Sequence, residues 1–266
     1  MLRLKTAAAI IAALAISACA TAPKGPPPLG AADYAPILAN PERTVQLTGF
    51  QAADQSDDAA RKPAEVLAFA KVAPGQTILE LEGGRGWYSR ILSEALGPTG
   101  KLYVQYPPEF AYGDAAYKTR QDAGQLKNAT IIKTHFDDYS AIPDASVDKV
   151  IWILGPHEIY FTPPNTQGLG EETKTYAEIK RVLKPGGEFI AMDHAAPAGE
   201  DKKTSAQTNH RVDPAVVLAA AGAAGFTYVE KSDILANPQD DRTKRAFDPT
   251  IRRHTDQFLF RFRKPA

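Results

Sequence analysis

Residues 77–105 read TILELEGGRGWYSRILSEALGPTGKLYVQ, and this stretch decides the fold. A β-branched and apolar run at 77–81 is followed directly by the glycine-rich turn EGGRG at 82–86. Apolar residues then recur at helical spacing over 87–96, and GPTG ends that helix before a second strand at 101–106. This order predicts a parallel βαβ unit, whose ligands bind beyond the carboxyl ends of its strands.

The same alternation of strand and helix patterns continues through the rest of the chain. Further strands are predicted at 130–136, 147–154, 188–194, 227–235 and 256–262, and helical stretches at 62–70, 107–126, 171–183 and 213–224. The strand at 147–154 is almost wholly apolar, as expected when helices cover both faces of a sheet. The pattern predicts an α/β domain with a seven-stranded, mainly parallel sheet, helices on both faces and an antiparallel last strand.

The charge balance argues against a polyanionic partner. Lys and Arg together number 31, and Asp and Glu together number 31, so the formal net charge is zero. A nucleic-acid-binding protein usually carries an excess of basic residues. We therefore expect no nucleic-acid partner, while the sequence leaves the oligomeric state open.

The N-terminus has the pattern of an export signal. Arg3 and Lys5 precede an apolar, alanine-rich segment at 6–18 that is too short to span a membrane comfortably. The sequence ISAC at 16–19 resembles a bacterial lipobox, in which the cysteine becomes the lipidated first residue of the mature protein. Cys19 is the only cysteine, so the chain has no internal disulfide.

This pattern predicts three segments. Residues 1–19 are a lipoprotein-type signal peptide with Cys19 as the first mature residue, 20–40 are a flexible tether rich in Pro, Gly and Ala, and 41–266 are a single domain. The protein would then be a periplasmic lipoprotein that touches the membrane only through the lipid on Cys19. Plain secretion with cleavage near Ala18 or Ala20, or an uncleaved anchor, remain alternatives.

Two kinds of ligand-binding turn compete at 82–86. A dinucleotide-binding fingerprint needs G-x-G-x-x-G and an acid about 20 residues further on. Here Gly84 and Gly86 are followed by Trp87, Tyr88 and Ser89, so the third glycine is missing. The turn therefore disfavours NAD. An ordinary tight turn between strand and helix would also use glycine.

The turn resembles motif I of the class I S-adenosylmethionine (SAM) methyltransferases, an acid followed by G-x-G-x-G. Glu80 matches the acid, Gly84 and Gly86 match the second and third glycines, and Glu82 replaces the first. The segments IPDASVDKV, LKPGG and AGF further along also resemble this family, so that the resemblance covers 57–264. More narrowly, DDAARKPAEVLAF, NHRVDP and TDQFLFRFRKP look like a branch of exported methyltransferases.

The resemblance implies a Rossmann-like methyltransferase fold, SAM as the cofactor and methyl transfer to an unknown small-molecule acceptor. It implies that the turn holds the methionine part of SAM, that the end of the second strand lies by the ribose, and that the end of the third lies by the adenine. The residues at these places are Glu80, Glu82, Gly83, Gly84 and Gly86 for the methionine part, Gln105 for the ribose, and Asp137 and Asp138 for the adenine.

Histidines follow the fourth and fifth strands, on the binding edge of the predicted sheet. His157 or His194 could act as a base, because imidazole titrates near neutral pH. A metal site is chemically possible from the nearby His and acidic residues, but they form no recognisable sequential ligand motif, and we predict none. The set comprises His157, Glu158, Asp193, His194 and His210. His135 and His254 are expected to have structural roles.

Export and SAM chemistry do not fit together easily. SAM is made in the cytoplasm, where an exported protein would not ordinarily meet it. Since a fold does not determine a function, an exported non-enzymatic protein with a methyltransferase fold is the alternative hypothesis. Such a protein would bind another small ligand or a partner protein.

Overall fold

Seven strands form one sheet in the order β3-β2-β1-β4-β5-β7-β6. β1 pairs in parallel with β2 and β4, β2 with β3, and β4 with β5, whereas β7 runs antiparallel to β5 and β6. This confirms the predicted fold. The strands are β1 (Thr77–Leu81), β2 (Lys101–Tyr106), β3 (Ala129–Lys133), β4 (Val147–Ile153), β5 (Leu183–His194), β6 (Thr227–Ser232) and β7 (Gln257–Arg263).

The structure, a computed structural model, describes residues 25–266. The predicted signal peptide, Cys19 and the start of the tether therefore lie outside the described residues. Within 25–266, no helix has both the length and the apolar character needed to cross a membrane. The α-helices are α1 (Ala35–Leu38), α2 (Asp58–Arg61), α3 (Pro63–Phe69), α4 (Trp87–Leu96), α5 (Tyr112–Asp122), α6 (Glu172–Val182), α7 (Lys202–Asn209) and α8 (Pro214–Ala223).

Both faces of the sheet are covered, as the apolar central strands require. Alternate residues of β1 point to opposite sides, so Leu79 and Leu81 pack in one apolar cluster and Ile78 in the other. Trp152 of β4 and Phe189 of β5 lie in the first cluster, with α6 and α8. The sheet is thus buried between two layers, and only its edges are free to present polar groups.

The structure differs from the prediction at the end of β3 and in one additional helix, α7. β3 ends at Lys133, so His135, predicted within the strand, lies in the following loop. The backbone N–H of Phe136 bonds to the carbonyl oxygen of Leu169 instead of to a strand. α7 was not predicted, because its sequence KKTSAQTN has no apolar stripe; the Asp201 carboxylate caps it by accepting from the Thr204 N–H at 2.9 Å.

The prediction of a flexible tether at 20–40 is wrong for residues 29–40, which pack against the domain. The N–H of Leu29 bonds to the carbonyl oxygen of Val72 at 2.8 Å, and Tyr34, which ends a short 3₁₀ helix just before α1, is 0% exposed. Apolar residues between the prolines supply enough buried surface to order the segment. The packed domain therefore begins near Leu29, not at residue 41.

Buried ion pairs hold the N-terminal arm, residues 29–57, against the domain. Both oxygens of the Asp54 carboxylate accept hydrogen bonds from Arg120 of α5, at 2.8 and 2.9 Å. Arg90 of α4 lies 3.6 Å from the same carboxylate, and the indole N–H of Trp87 donates to the Asp54 carbonyl oxygen at 2.8 Å. Asp54 therefore joins the arm to two helices at once.

We expect Asp54→Ala to be strongly destabilising, because it leaves the buried guanidinium of Arg120 without its counter-charge. Removing one partner of a buried pair typically costs about 3–5 kcal/mol of unfolding free energy. The matched control is Asp122→Ala on α5, where the pair with Lys118 is exposed and is worth only about 0.3–0.5 kcal/mol. Urea unfolding of both variants measures the difference. Equal losses would show that the Asp54 pair contributes no more than a surface pair.

Glu80 of β1 makes the stability of the domain depend on pH. Burial raises the pKa of its carboxyl to about 7, although the Ser89 hydroxyl and the Arg120 charge act to lower it. The folded state then holds a proton that the unfolded chain releases near pH 4.5. Its contribution to stability is fully present below pH 4.5 and is lost as the pH rises through 7.

Glu80→Gln should therefore flatten the fall in stability between about pH 4.5 and 7. A shift of this size corresponds to about 3 kcal/mol, at 1.36 kcal/mol for each unit of pKa. Unfolding free energies of wild type and variant at several pH values in this window give the difference directly. If the two proteins lost stability in parallel, Glu80 would not be the titrating group.

Candidate active site

The glycine-rich turn after β1 takes an unusual backbone path. Glu82, Gly84 and Gly86 have φ angles of 51°, 56° and 76°, all in the left-handed region. Glycine adopts this conformation freely, but glutamate is strained in it. The Glu82 N–H donates to the side-chain oxygen of Gln105 at 3.2 Å, and the Gly83 N–H to the Gln105 carbonyl at 3.0 Å. These two bonds hold the strained turn in place.

One side of the turn is filled by α5. A Cβ atom on Gly83 would lie 2.2 Å from the Tyr117 hydroxyl, and one on Gly86 would lie 2.9 Å from the Arg120 side chain. The other side is open at Gly84. Among residues 25–266, none accepts a hydrogen bond from the backbone N–H groups of Gly84 and Arg85. These groups lie just before α4, where a helix start favours a bound anion.

The Glu82 carboxyl lies beside these N–H groups in the chain but in a different environment. Its Oε2 atom is buried and has no hydrogen-bond partner among the described residues. A Cβ atom on Gly155, which follows β4, would lie 2.2 Å from it. Burial, together with the charges of Glu158 and Asp193, raises the pKa of Glu82 well above its ordinary value. A cation placed here would relieve that repulsion.

The other predicted cofactor residues are occupied by contacts within the protein. Gln105 is fully buried, and its amide nitrogen donates to the Thr134 carbonyl oxygen at 2.6 Å. Asp137 accepts from the Glu171 N–H at 3.1 Å, just before α6, and exposed Asp138 accepts from the Ser140 N–H at 2.9 Å. These three side chains act as anchors and caps, so the turn itself offers the freer polar groups.

His157 lies in a 3₁₀ helix at Pro156–Tyr160, directly beyond β4. Its ring Nδ1 is 2.9 Å from the nearer oxygen of Asp193 in β5, and the same carboxylate accepts from the His157 backbone N–H at 2.7 Å. On the other side of the ring, Nε2 lies 3.3 Å from Glu158 Oε1 and 3.4 Å from Nδ1 of His210. The structure thus brings together four of the five residues considered for a metal.

The two predicted bases differ in protonation. Burial alone would lower the pKa of His157, but the charges of Asp193 and Glu158 outweigh it and raise that pKa well above its ordinary value. Burial and the charge of His157 lower the pKa of His194 well below its ordinary value. His194 is therefore the histidine that is neutral at pH 7 and can accept a proton, whereas His157 already holds one.

His194 borders a cavity at the carboxyl ends of β4 and β5. Its Nδ1 lies 2.7 Å from the Thr255 hydroxyl, which orients the ring. The cavity has a volume of about 110 Å³ and is lined partly by apolar groups and partly by arginine side chains. The lining includes Arg61, Leu154, Met192, Phe247, Arg252 and Arg253. Asp57 also lines the cavity and pairs with Arg61 at 3.3 Å and with Arg253 at 2.5 Å. Among the described residues, Arg252 is the lining arginine without an ion pair, so it is the one that could hold a negative group of a small acceptor.

Three residues that follow β2, near the carboxyl ends of the strands, were not predicted from the sequence to belong to the site. Glu109 follows β2 and pairs with His135 at 2.9 Å, so a carboxylate does lie beyond β2 although Gln105 occupies the expected position. Phe110 and Tyr112 stack with ring centroids 5.6 Å apart, and the Arg85 guanidinium lies 5.3 Å from the centre of the Tyr112 ring. The aromatic segment PPEFAY after β2 was the available signal.

The sequence of this chain is similar to those of known methyltransferases. No protein-family model matches the chain. The ubiquinone/menaquinone biosynthesis C-methyltransferase UbiE of Escherichia fergusonii is 26% identical over 175 residues. That match covers 65% of this chain and 64% of the enzyme, so the chain spans less than two thirds of the length of such relatives.

Two solved structures illustrate the likeness in fold. A SAM-dependent methyltransferase from Aquifex aeolicus superposes with a TM-score of 0.55 at 20% identity, over 78% of this chain and 97% of that chain. The [4+2]-cyclase SpnF superposes with a TM-score of 0.58 at 16% identity, over 91% of this chain and 100% of that chain. The relatives of this chain are class I SAM-dependent methyltransferases, and its fold is theirs.

Proposed function

We propose that this protein is a SAM-dependent methyltransferase that acts on a small-molecule acceptor. One observation carries the proposal: within four consecutive residues, the turn after β1 carries two unbonded backbone N–H groups, those of Gly84 and Arg85, and the buried, unpartnered carboxyl oxygen of Glu82. An anion site beside a cation site suits the amino-acid end of SAM, which has a carboxylate and an ammonium group.

When bound, SAM supplies a methyl group on a sulfonium, which an acceptor takes by direct displacement. The protein's part is chiefly to align the two molecules. The N–H groups of Gly84 and Arg85 would hold the carboxylate, and Glu82 the ammonium. Since Gln105 is committed to the turn, Glu109 is the carboxylate beyond β2 that we assign to the ribose.

The acceptor would bind in the cavity beside His194. There the neutral imidazole can take the proton that the acceptor loses, and Arg252 can hold a negative group. The relative named above methylates carbon in ubiquinone and menaquinone biosynthesis, according to its name. Because the match covers only 64% of that enzyme, we propose methyl transfer as the reaction class for this protein, and we do not assign it the substrate of that enzyme.

The buried state of Gln105 favours a second candidate. Its amide is used entirely within the protein, and Asp137 and Asp138 cap their own neighbourhoods. Together with the expected export, this fits a protein that keeps the methyltransferase fold and binds another small ligand or a partner protein. Titration with SAM separates the two candidates.

We expect isothermal titration of the full-length protein with SAM, in EDTA, to give saturable binding with one site. Gly84→Val should raise the dissociation constant at least about tenfold, or about 1.4 kcal/mol, because the new side chain covers the open side of the turn and strains a left-handed backbone. Gly124→Val is the control, since Gly124 has a φ of 74° and open space around its Cβ position but lies after α5.

Loss of binding in both glycine variants would mean a general effect of backbone strain and not a contact with SAM. Absence of binding to folded wild type at millimolar SAM would reject the methyltransferase proposal in favour of the second candidate.

Glu82→Gln tests the ammonium contact separately. The change keeps the size of the side chain and removes its charge, so a charge-assisted hydrogen bond worth about 1.5–3 kcal/mol should be lost. The dissociation constant for SAM should then rise roughly tenfold to a hundredfold. Asp233→Asn, an exposed charge in the loop after β6, should leave it unchanged. Tighter binding by Glu82→Gln would show that this carboxyl opposes the cofactor.

A further inference from the structure

The cluster around His157 has a property that methyl transfer does not require. Three potential metal ligands, from His157, Glu158 and His210, all lie within 4.8 Å of one another and are buried. The distances from His157 Nε2 to Glu158 Oε1 and to His210 Nδ1 are 3.3 and 3.4 Å. Ligands bonded to tetrahedral zinc at about 2.0–2.1 Å are separated by about 3.3–3.4 Å, so the spacing is that of a tetrahedral edge.

The surroundings of His157 also match those of a metal ligand. Its Nδ1 faces Asp193, and its Nε2 is directed at Glu158 and His210, where a bound metal would displace the Nε2 proton of His157 into solvent. Metal-binding histidines usually donate their second ring N–H to a carboxylate in this way, which sets the tautomer and the ring orientation. Asp193 is itself fixed, because it accepts from the backbone N–H groups of His157 and His194, both at 2.7 Å.

The cluster has an unfilled bonding capacity. Glu158 is only 7% exposed, and its buried Oε2 has no hydrogen-bond partner among residues 25–266. A buried carboxylate oxygen without a partner is costly unless a cation or water completes its environment. The rings of Phe161 and Phe247 lie 4.9 and 5.0 Å from the His210 ring and limit access of bulk water.

We propose that His157, Glu158 and His210 form a binding site for a divalent transition metal such as Zn²⁺, with Asp193 as the carboxylate that orients His157. Two imidazoles and one carboxylate are ligands that zinc accepts, and three protein ligands leave a fourth position for water or substrate. This site would lie beyond β4 and β5, at the edge where the acceptor is proposed to bind, but it does not depend on SAM binding.

The hydrogen bond from Arg245 to His210 competes with metal binding, which gives the proposal a second test. Its NH2 group lies 3.1 Å from Nε2 of His210. A guanidinium can only donate, so in this arrangement His210 accepts at Nε2 and carries its proton on Nδ1, facing His157. Metal binding at Nδ1 moves that proton to Nε2, where it would meet the guanidinium donor. Arg245 must then swing away, which its exposed position allows.

The experiment is Zn²⁺ binding to the full-length protein after EDTA treatment, by equilibrium dialysis with elemental analysis. Cys19→Ser serves as the background for all samples, because a free thiol would bind zinc by itself. We expect one zinc per chain. Glu158→Gln and His210→Gln should each weaken binding at least tenfold, whereas His135→Gln, a histidine paired with Glu109 away from the cluster, should not.

Arg245→Ala should change the zinc affinity in the opposite direction to the Glu158 and His210 variants. Removing the competing guanidinium should tighten zinc binding about tenfold, because binding no longer breaks a charge-assisted hydrogen bond. This exposed residue can be replaced without disturbing the core, which circular dichroism and thermal unfolding would verify for every variant.

Several results would overturn the proposal. Zinc that binds equally well to the Cys19→Ser protein and to its Glu158 and His210 variants would be bound elsewhere. A folded Cys19→Ser protein that takes up no zinc at micromolar concentration would show that the cluster is a hydrogen-bonded network only. Unchanged or weaker binding by Arg245→Ala would refute the role given to Arg245. Because SAM titrations are run in EDTA, failure of either proposal leaves the other testable.

Discussion

The buried amide of Gln105 holds the carboxyl ends of three neighbouring strands in register. Its oxygen accepts from the Glu82 N–H after β1, and its nitrogen donates to the Thr134 carbonyl after β3, while the residue itself belongs to β2. Both bonds lie away from solvent, where a lost partner would leave a buried polar group unsatisfied. The left-handed path of the turn, and with it the open N–H groups before α4, depends on the side chain and the backbone carbonyl of this one residue.

Asp193 fixes the carboxyl ends of β4 and β5, as Gln105 fixes those of β1, β2 and β3. One carboxylate accepts from two backbone N–H groups and faces the His157 ring, so β5 dictates the position of the 3₁₀ helix after β4. Gln105 is neutral and Asp193 is charged, which divides the edge into two different environments. The first presents backbone donors, and the second concentrates carboxylates around a histidine.

The order of the strands and the position of the turn could be predicted, because strand and helix periodicities alternate clearly and a glycine-rich turn after an apolar strand is distinctive. The contacts within the site could not. Gln105 was expected to face a ribose, but side-chain direction depends on register, and the register aims it into the protein. His210 follows α7, whose polar sequence gave no helical signal, so its approach to His157 was invisible. A flexible tether is predicted at 20–40 because the prolines of this segment mask its few apolar anchors.

The buried pair that closes the N-terminal arm also constrains the order of folding. Asp54 and Arg120 are 66 residues apart in the chain, so the arm cannot dock until α5 has been synthesised and has packed beside the turn. Contacts with such large sequence separation form late, since the intervening loop must first be ordered. Until then, the indole of Trp87 and the guanidinium of Arg120 lack the cover that the arm gives them. A nascent chain would therefore expose this surface to chaperones, and docking of the arm would cover it against proteases.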